Sequence, residues 1–220
     1  MTIAQRASFW RDNGLSLALG GVFLACLVGQ AWSGYLAFNA ERIHDGETAI
    51  ALAAYLGSGH FLSALFENWE SEFLQMGMYV LLTVSLRQRG SAESRPMPGE
   101  PEDERVDEGP KPWPLRAGGL WRRLYANSLS IALLALFSIA FVGHAYESWR
   151  MEVAEHLAAG EAAPTLVDHL AGAQFWFESM QNWQSEFLAV LAIVVLSIVL
   201  RQDKSPQSKP VQAPHRQTGT

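Results

Sequence analysis

Asn68-Trp69-Glu70-Ser71-Glu72-Phe73-Leu74 occurs twice in this chain, the second time as Asn182-Trp183-Gln184-Ser185-Glu186-Phe187-Leu188, with one residue changed. The offset is 114 residues, and it persists outward from this string in both directions. Asn13-Gly14-Leu15-Ser16 returns as Asn127-Ser128-Leu129-Ser130, Val28-Gly29 as Val142-Gly143, and Leu86-Arg87-Gln88 as Leu200-Arg201-Gln202. Of the 84 positions from 13 to 96, 31 are identical to the residue 114 further on, without a gap. Self-similarity over such a length marks a duplicated structural unit.

Apolar residues cluster in four blocks, two per copy, with the charges between them. Leu15 to Tyr35 carries no charge, and Leu129 to Tyr146 carries only His144. A run of about 20 apolar residues is what crossing a bilayer core of about 30 Å requires. The shorter apolar cores, Phe73 to Leu86 and Phe187 to Leu200, each follow a semi-polar helical stretch, which lengthens the helix enough to span. The expected fold is all-α: a polytopic membrane protein with four transmembrane helices from a tandem two-helix repeat. Two crossings return the chain to its starting side, so the copies share one orientation and a pseudo-two-fold axis runs along the membrane normal. The boundaries read as a first repeat over 1–96, an acidic Pro-rich linker over 97–118, a second repeat over 119–203 and a disordered tail over 204–220. The outer loops, about 38–57 and 152–171, have the composition of short amphipathic surface helices. Ser58 is placed to cap the helix that follows it.

Fourteen of the sixteen Lys and Arg lie before the first block, between the second and third, or after the fourth; Arg42 and Arg150 are the exceptions. The positive-inside rule then puts both termini in the cytoplasm. The net charge of −6 comes largely from the linker acids and says little about a substrate. With Cys26 as the single cysteine, neither an intramolecular disulfide nor a Cys metal cluster is available.

Chemistry is sought in the repeated string. On a helix, Asn68 and Glu72, and in the second copy Asn182 and Glu186, fall on one stripe a turn apart. Glu72 lies fifteen residues before Arg87, about 22 Å from the inner boundary at the helical rise. Gln30 and His144, partners in the repeat, come to about 25 Å by the same reckoning. Glu72, Glu186, Asn68, Asn182, His144 and Gln30 are therefore the candidate ion or proton path. Carboxylates at such depth normally face a bundle interior or a water-filled cavity. Trp69, Trp183, Arg87 and Arg201 are expected as interfacial anchors. No nucleophile, phosphate loop or metalloprotease spacing accompanies the acids, so no catalytic residue, metal or cofactor is assigned and the chain is read as a non-enzyme. Expected partners are the lipid bilayer and a second copy or another membrane protein, not nucleic acid. The leading function is small-ion or proton transport; the alternative is a non-catalytic membrane scaffold or accessory subunit.

The strings Asn13 to Ser16, Val28-Gly29-Gln30, Ser58-Gly59-His60-Phe61, Phe66 through Gly77 and Leu86-Arg87-Gln88 together resemble an uncharacterised family of bacterial membrane proteins, catalogued only as a domain of unknown function. The resemblance spans nearly the whole chain apart from the acidic linker and tail. It implies a four-helix inner-membrane protein and brings no assigned activity, substrate or catalytic residue.

Overall fold

A computed structural model of the chain describes residues 9–101 and 106–219. Residues 102–105 of the acidic linker, Arg6 and the last residue of the tail lie outside the described residues. The described residues are helical, with turns between the helices and no strand. The helices are α1 (Gly14–His44), α2 (Leu52–Leu56), α3 (Gly59–Ser85), α4 (Trp113–Ala117), α5 (Gly119–Ala126), α6 (Ser128–Ala158), α7 (Leu166–Ala171) and α8 (Ala173–Leu196). Of these, α1 and α6, each of 31 residues, are long and apolar enough to cross a membrane. The chain divides into two compact units, Met1–Leu62 and Ser63–Thr220, and α3 runs from the first into the second.

In the first unit, α1 continues well past its apolar block, to His44. The loop expected to begin near residue 38 therefore starts about two turns later. Asn39, the one buried residue of α1, holds the returning chain: its amide donates to the Ile50 carbonyl at 3.1 Å and its carbonyl accepts the Ile50 N–H at 2.7 Å. Arg42 adds an ion pair with Glu47 at 2.6 Å. These bonds seat Tyr55 of α2, 2 % exposed, among the rings of Tyr35, Phe38, His60 and Phe61. Burial pushes the Tyr55 phenol above its ordinary pKa. Its hydroxyl lies where a Cβ on residue 34 would be, so only glycine fits there. Ser58 caps α3, its Oγ accepting the Phe61 N–H at 3.3 Å.

In the second unit, α3 packs antiparallel to α6, with Phe66 against Gly143 and Gly77 against Leu134. It runs parallel to α8, with Glu67 on Asn182 and Gln75 on the Glu186 carbonyl. The small residues matter. A Cβ at 143 would lie 2.7 Å from the Phe66 ring, so glycine sets how near the two helices come. The helix α6 likewise overruns its apolar block, ending at Ala158. The short α7 carries a full capping box, Thr165 with Asp168.

The segments after α3 and α8 are turns, and they make matching bonds. The Gln88 N–H donates to Ser94 Oγ at 3.0 Å, and its copy Gln202 to Ser208 at 2.9 Å. The guanidinium of Arg87 donates to the Val84 and Leu86 carbonyls, as that of Arg201 does to Ile198 and Leu200. Between these segments Lys209 is buried, 1 % exposed, with its ammonium donating to the carbonyls of Gly90, His215 and Gln217. Burial, with the Arg201 guanidinium nearby, holds that ammonium below the usual lysine pKa. Gly90 has φ +84°, and a Cβ there would lie 2.7 Å from the His215 carbonyl, so glycine is required twice over.

Candidate functional site

On α6, Ala140, His144 and Ser148 recur every fourth residue and are buried. On α8 the matching stripe is Phe175, Ser179 and Trp183, of which Phe175 and Ser179 are buried. A four-residue step returns to nearly the same side of a helix, so each stripe offers one continuous line of groups to its neighbour. Between them α3 brings Glu67, Glu70 and Gln75.

Glu70 and His144 meet where the three helices face one another. Both are fully buried, and His144 Nδ1 lies 3.1 Å from Glu70 Oε2. The other carboxylate oxygen, Oε1, accepts the Trp183 indole N–H at 3.1 Å. The Phe175 ring stacks on the imidazole, centroids 5.0 Å apart and planes 30° apart. The far nitrogen, His144 Nε2, is buried without a hydrogen-bond partner, and so is Ser179 Oγ on the α8 stripe between Phe175 and Trp183. Glu67 accepts a bond from the Asn182 amide. It lies within electrostatic reach of Glu70, Glu178 and His144. Among the described residues, no three His, Cys, Asp or Glu are grouped so as to hold a metal ion.

Towards the C-terminal end of α6 a second chain of groups begins. Ser148 Oγ donates to the His144 carbonyl at 2.7 Å and lies 2.8 Å from His169 Nε2. His169 Nδ1 is bonded to Glu152. The order hydroxyl, imidazole, carboxylate is that of an acyl-transfer nucleophile with its base and acid. The setting is wrong for that chemistry. Ser148 is 3 % exposed in mid-helix, where the neighbouring N–H groups bond within the helix and none is left to stabilise an oxyanion. What the arrangement offers is a line of groups that both give and take protons. Below Glu70, α3 carries Ser71, Gln75, Tyr79 and Thr83 at four-residue spacing. Ser71 and Gln75 are buried, and the Tyr79 hydroxyl donates to Glu93 at 2.8 Å.

The residues singled out from sequence fall in different places. His144 and Trp183 are part of the buried cluster, and Asn182 borders it through Glu67. Glu186 is half-buried and within electrostatic reach of Glu72, while Glu72 itself is exposed. Asn68 is exposed, its amide donating to its own helix at Ala64, 2.8 Å away. Trp69 is half-buried, edge-on to Phe66. Gln30 is half-buried and belongs to the first unit. Arg87 and Arg201 end their helices by bonding the last-turn carbonyls and carbonyls further along, Pro96 for Arg87 and Ala213 for Arg201.

Sequence reasoning missed Glu70, His169 and Glu152. Glu70 lies off the Asn68–Glu72 stripe on which the candidates were placed, and its copy is the uncharged Gln184. A usable signal was present. His144 and Glu70 are the two members of the pair, and their repeat partners, Gln30 and Gln184, are both uncharged amides. A titratable group stands at both members of the pair and an amide at both of their copies, the pattern a mutually dependent pair would leave.

No curated protein and no solved structure matches the chain. A family model does, over residues 6–220, and the chain accordingly belongs to the family described as Domain of unknown function (DUF6766).

Proposed function

We propose that this is a four-span membrane protein that passes protons across the bilayer through the second unit, with Glu70 and His144 as the exchanging pair. The observation that carries the reading is the fully buried Glu70–His144 contact with His144 Nε2 unpartnered. Imidazolium with carboxylate and neutral imidazole with carboxylic acid have the same total charge. A proton can therefore move along the Nδ1–Oε2 line without adding net charge to a low-dielectric interior. His144 Nε2, the open end of the pair, takes the proton up, and Ser148, His169 and Glu152 are the proton-handling groups further along α6 that could supply it. Glu70 releases it towards Gln75, Tyr79 and Glu93.

Four spans rather than two are supported by the duplication and by helix length. The helices α3 and α8 have 27 and 24 residues, and at about 1.5 Å per residue they reach about 40 and 36 Å, more than the core of about 30 Å. The charge distribution supports cytoplasmic termini, and the resemblance to a family of bacterial membrane proteins supports an inner membrane. The shared orientation of the copies, with its pseudo-two-fold axis, is supported by α3 and α8 running parallel. Intramembrane ionisable residues otherwise cost several kcal/mol, which makes a buried Glu–His pair a functional site by default.

The test is proton flux into liposomes holding a pH-sensitive dye, driven by a pH gradient. Glu70→Gln and His144→Gln should each lower the flux by about tenfold or more, the scale of losing a positioned proton-transfer group. The pair suggested by the repeat, Glu72→Gln/Glu186→Gln, should leave it near the wild-type rate. Loss in that pair alone would move the path to the duplicated acids. No flux in the wild type under either a gradient or a voltage would leave the scaffold or accessory-subunit role.

A further inference from the structure

The inner end of α3 opens on a cavity of about 1010 Å³ that meets the proposed proton path only at Glu93. One side is apolar helix, Val80, Thr83 and Val84, with Val84 61 % exposed. The other is polar loop carrying three arginines, Arg89, Arg95 and Arg216. Two acids also line it, but both are engaged. Glu93 takes the Tyr79 hydroxyl at 2.8 Å, and Glu100 takes the Met97 N–H at 3.0 Å. Three guanidinium groups against two carboxylates leave the lining with one net positive charge, and Arg89 and Arg216 are the cations it offers besides Arg95. Arg89 and Arg216 belong to segments tied together, since the Gly90 N–H donates to Thr218 Oγ1 at 3.0 Å and Gly219 returns a bond to the Ser91 carbonyl.

We propose that this cavity binds an anionic phospholipid, with the headgroup phosphate between Arg89 and Arg216 and an acyl chain along Val80 and Val84. The reasoning rests on the membrane reading above. A guanidinium fork matches phosphate oxygens in pairs, and the adjoining apolar helix supplies what a soluble phosphate lacks. Basic pockets at the cytoplasmic ends of membrane helices suit such headgroups. In this site the charge comes from loops of both repeats, one after α3 and one after α8. A bound lipid would therefore hold the inner ends of the two copies together.

Delipidated protein in neutral detergent would be melted with phosphatidylglycerol, phosphatidylcholine or inorganic phosphate. Phosphatidylglycerol should raise Tm by roughly 5 °C near saturation, as a site-specific ligand does for a chain this size, and the other two should not. In Arg89→Gln/Arg216→Gln the rise should vanish while the lipid-free Tm holds. An equal rise with inorganic phosphate would make this a small-anion site and overturn the lipid reading. Equal rises with both lipids would overturn it too. Should the double variant fail to fold, native mass spectrometry of the wild type from an equimolar lipid mixture decides: retained phosphatidylglycerol supports the site, and no preference removes it. Carbonate extraction of cell membranes is the separate control, because release into the soluble fraction would defeat the membrane reading itself.

Discussion

Residues 68–74 of α3 and 182–188 of α8 differ at one position in seven, yet they lead different lives. In both, the serine folds back on its own helix, Ser71 to the Asn68 carbonyl and Ser185 to the Asn182 carbonyl, each at 2.8 Å. There the likeness stops. Glu70 is fully buried against His144 and Trp183, whereas its counterpart Gln184 is exposed. Trp183 serves the cluster that Glu70 anchors. What the copies kept is largely the local hydrogen bonding that makes a helix and ends it. What they changed is where buried charge sits. Duplication supplied one frame twice, and the frame became asymmetric where charge is buried.

That contrast can be broken most sharply at His144. Replacing it by alanine leaves Glu70 buried without its partner, and stability should fall by about 3–5 kcal/mol. Gln184→Ala, on the exposed side of the matching helix, should cost less than about 0.5 kcal/mol. Thermal melts in one detergent compare the two, and equal losses would refute a special role for the pair. Glu70→Gln/His144→Gln writes the residues of one copy into the other. The double variant should be more stable than the summed single losses imply, by about 1–3 kcal/mol of coupling. Simple additivity would mean the two side chains do not depend on each other.

The glycines of the Val-Gly repeat come next. Gly143→Ala drives a methyl into the Phe66 ring and should cost about 1–3 kcal/mol. Gly29, its copy, has nothing within 4 Å of an added Cβ, so Gly29→Ala should be neutral or stabilise by up to about 1 kcal/mol through helix propensity. Opposite signs in the two melts are the expected result.

The smallest effect separates the outer short helices. Thr165 hydrogen bonds hold the Asp168 carboxyl below its ordinary value of 3.8. A depressed acid contributes stability that is full above the unfolded value and lost as pH falls through the lower folded one. Amide exchange in α7 should therefore quicken on acidification below about pH 4, and Asp168→Asn should abolish that dependence. The helix α2 has Ala51 at its N-cap and no side-chain cap, and should show no such dependence.

Much of the architecture was legible before any coordinate. The helices over the apolar blocks follow from composition, and Ser58 as a cap follows from side-chain chemistry, because both depend on residues near in sequence. The ends of α1 and α6 were misjudged because composition marks where a helix turns polar, not where it stops. Both helices run on as amphipathic extensions, the first to His44 and the second to Ala158. His144 was legible as a polar group in an apolar block. Glu70 was not, since its importance depends on a residue 74 positions away.

The sequence by itself determined the duplication, the helical class, the two helices fit to cross a membrane and the sidedness of charge. All are sums over local windows, and a window needs no partner. Only the tertiary structure decided which of several glutamates is buried, that Trp183 and His144 converge on it, and that Ser148, His169 and Glu152 continue the line. Burial is a property of helix rotation. A turn of about 100° per residue puts Glu70 and Glu72 on opposite sides of one helix, and only the neighbours packed against it decide which side is the interior.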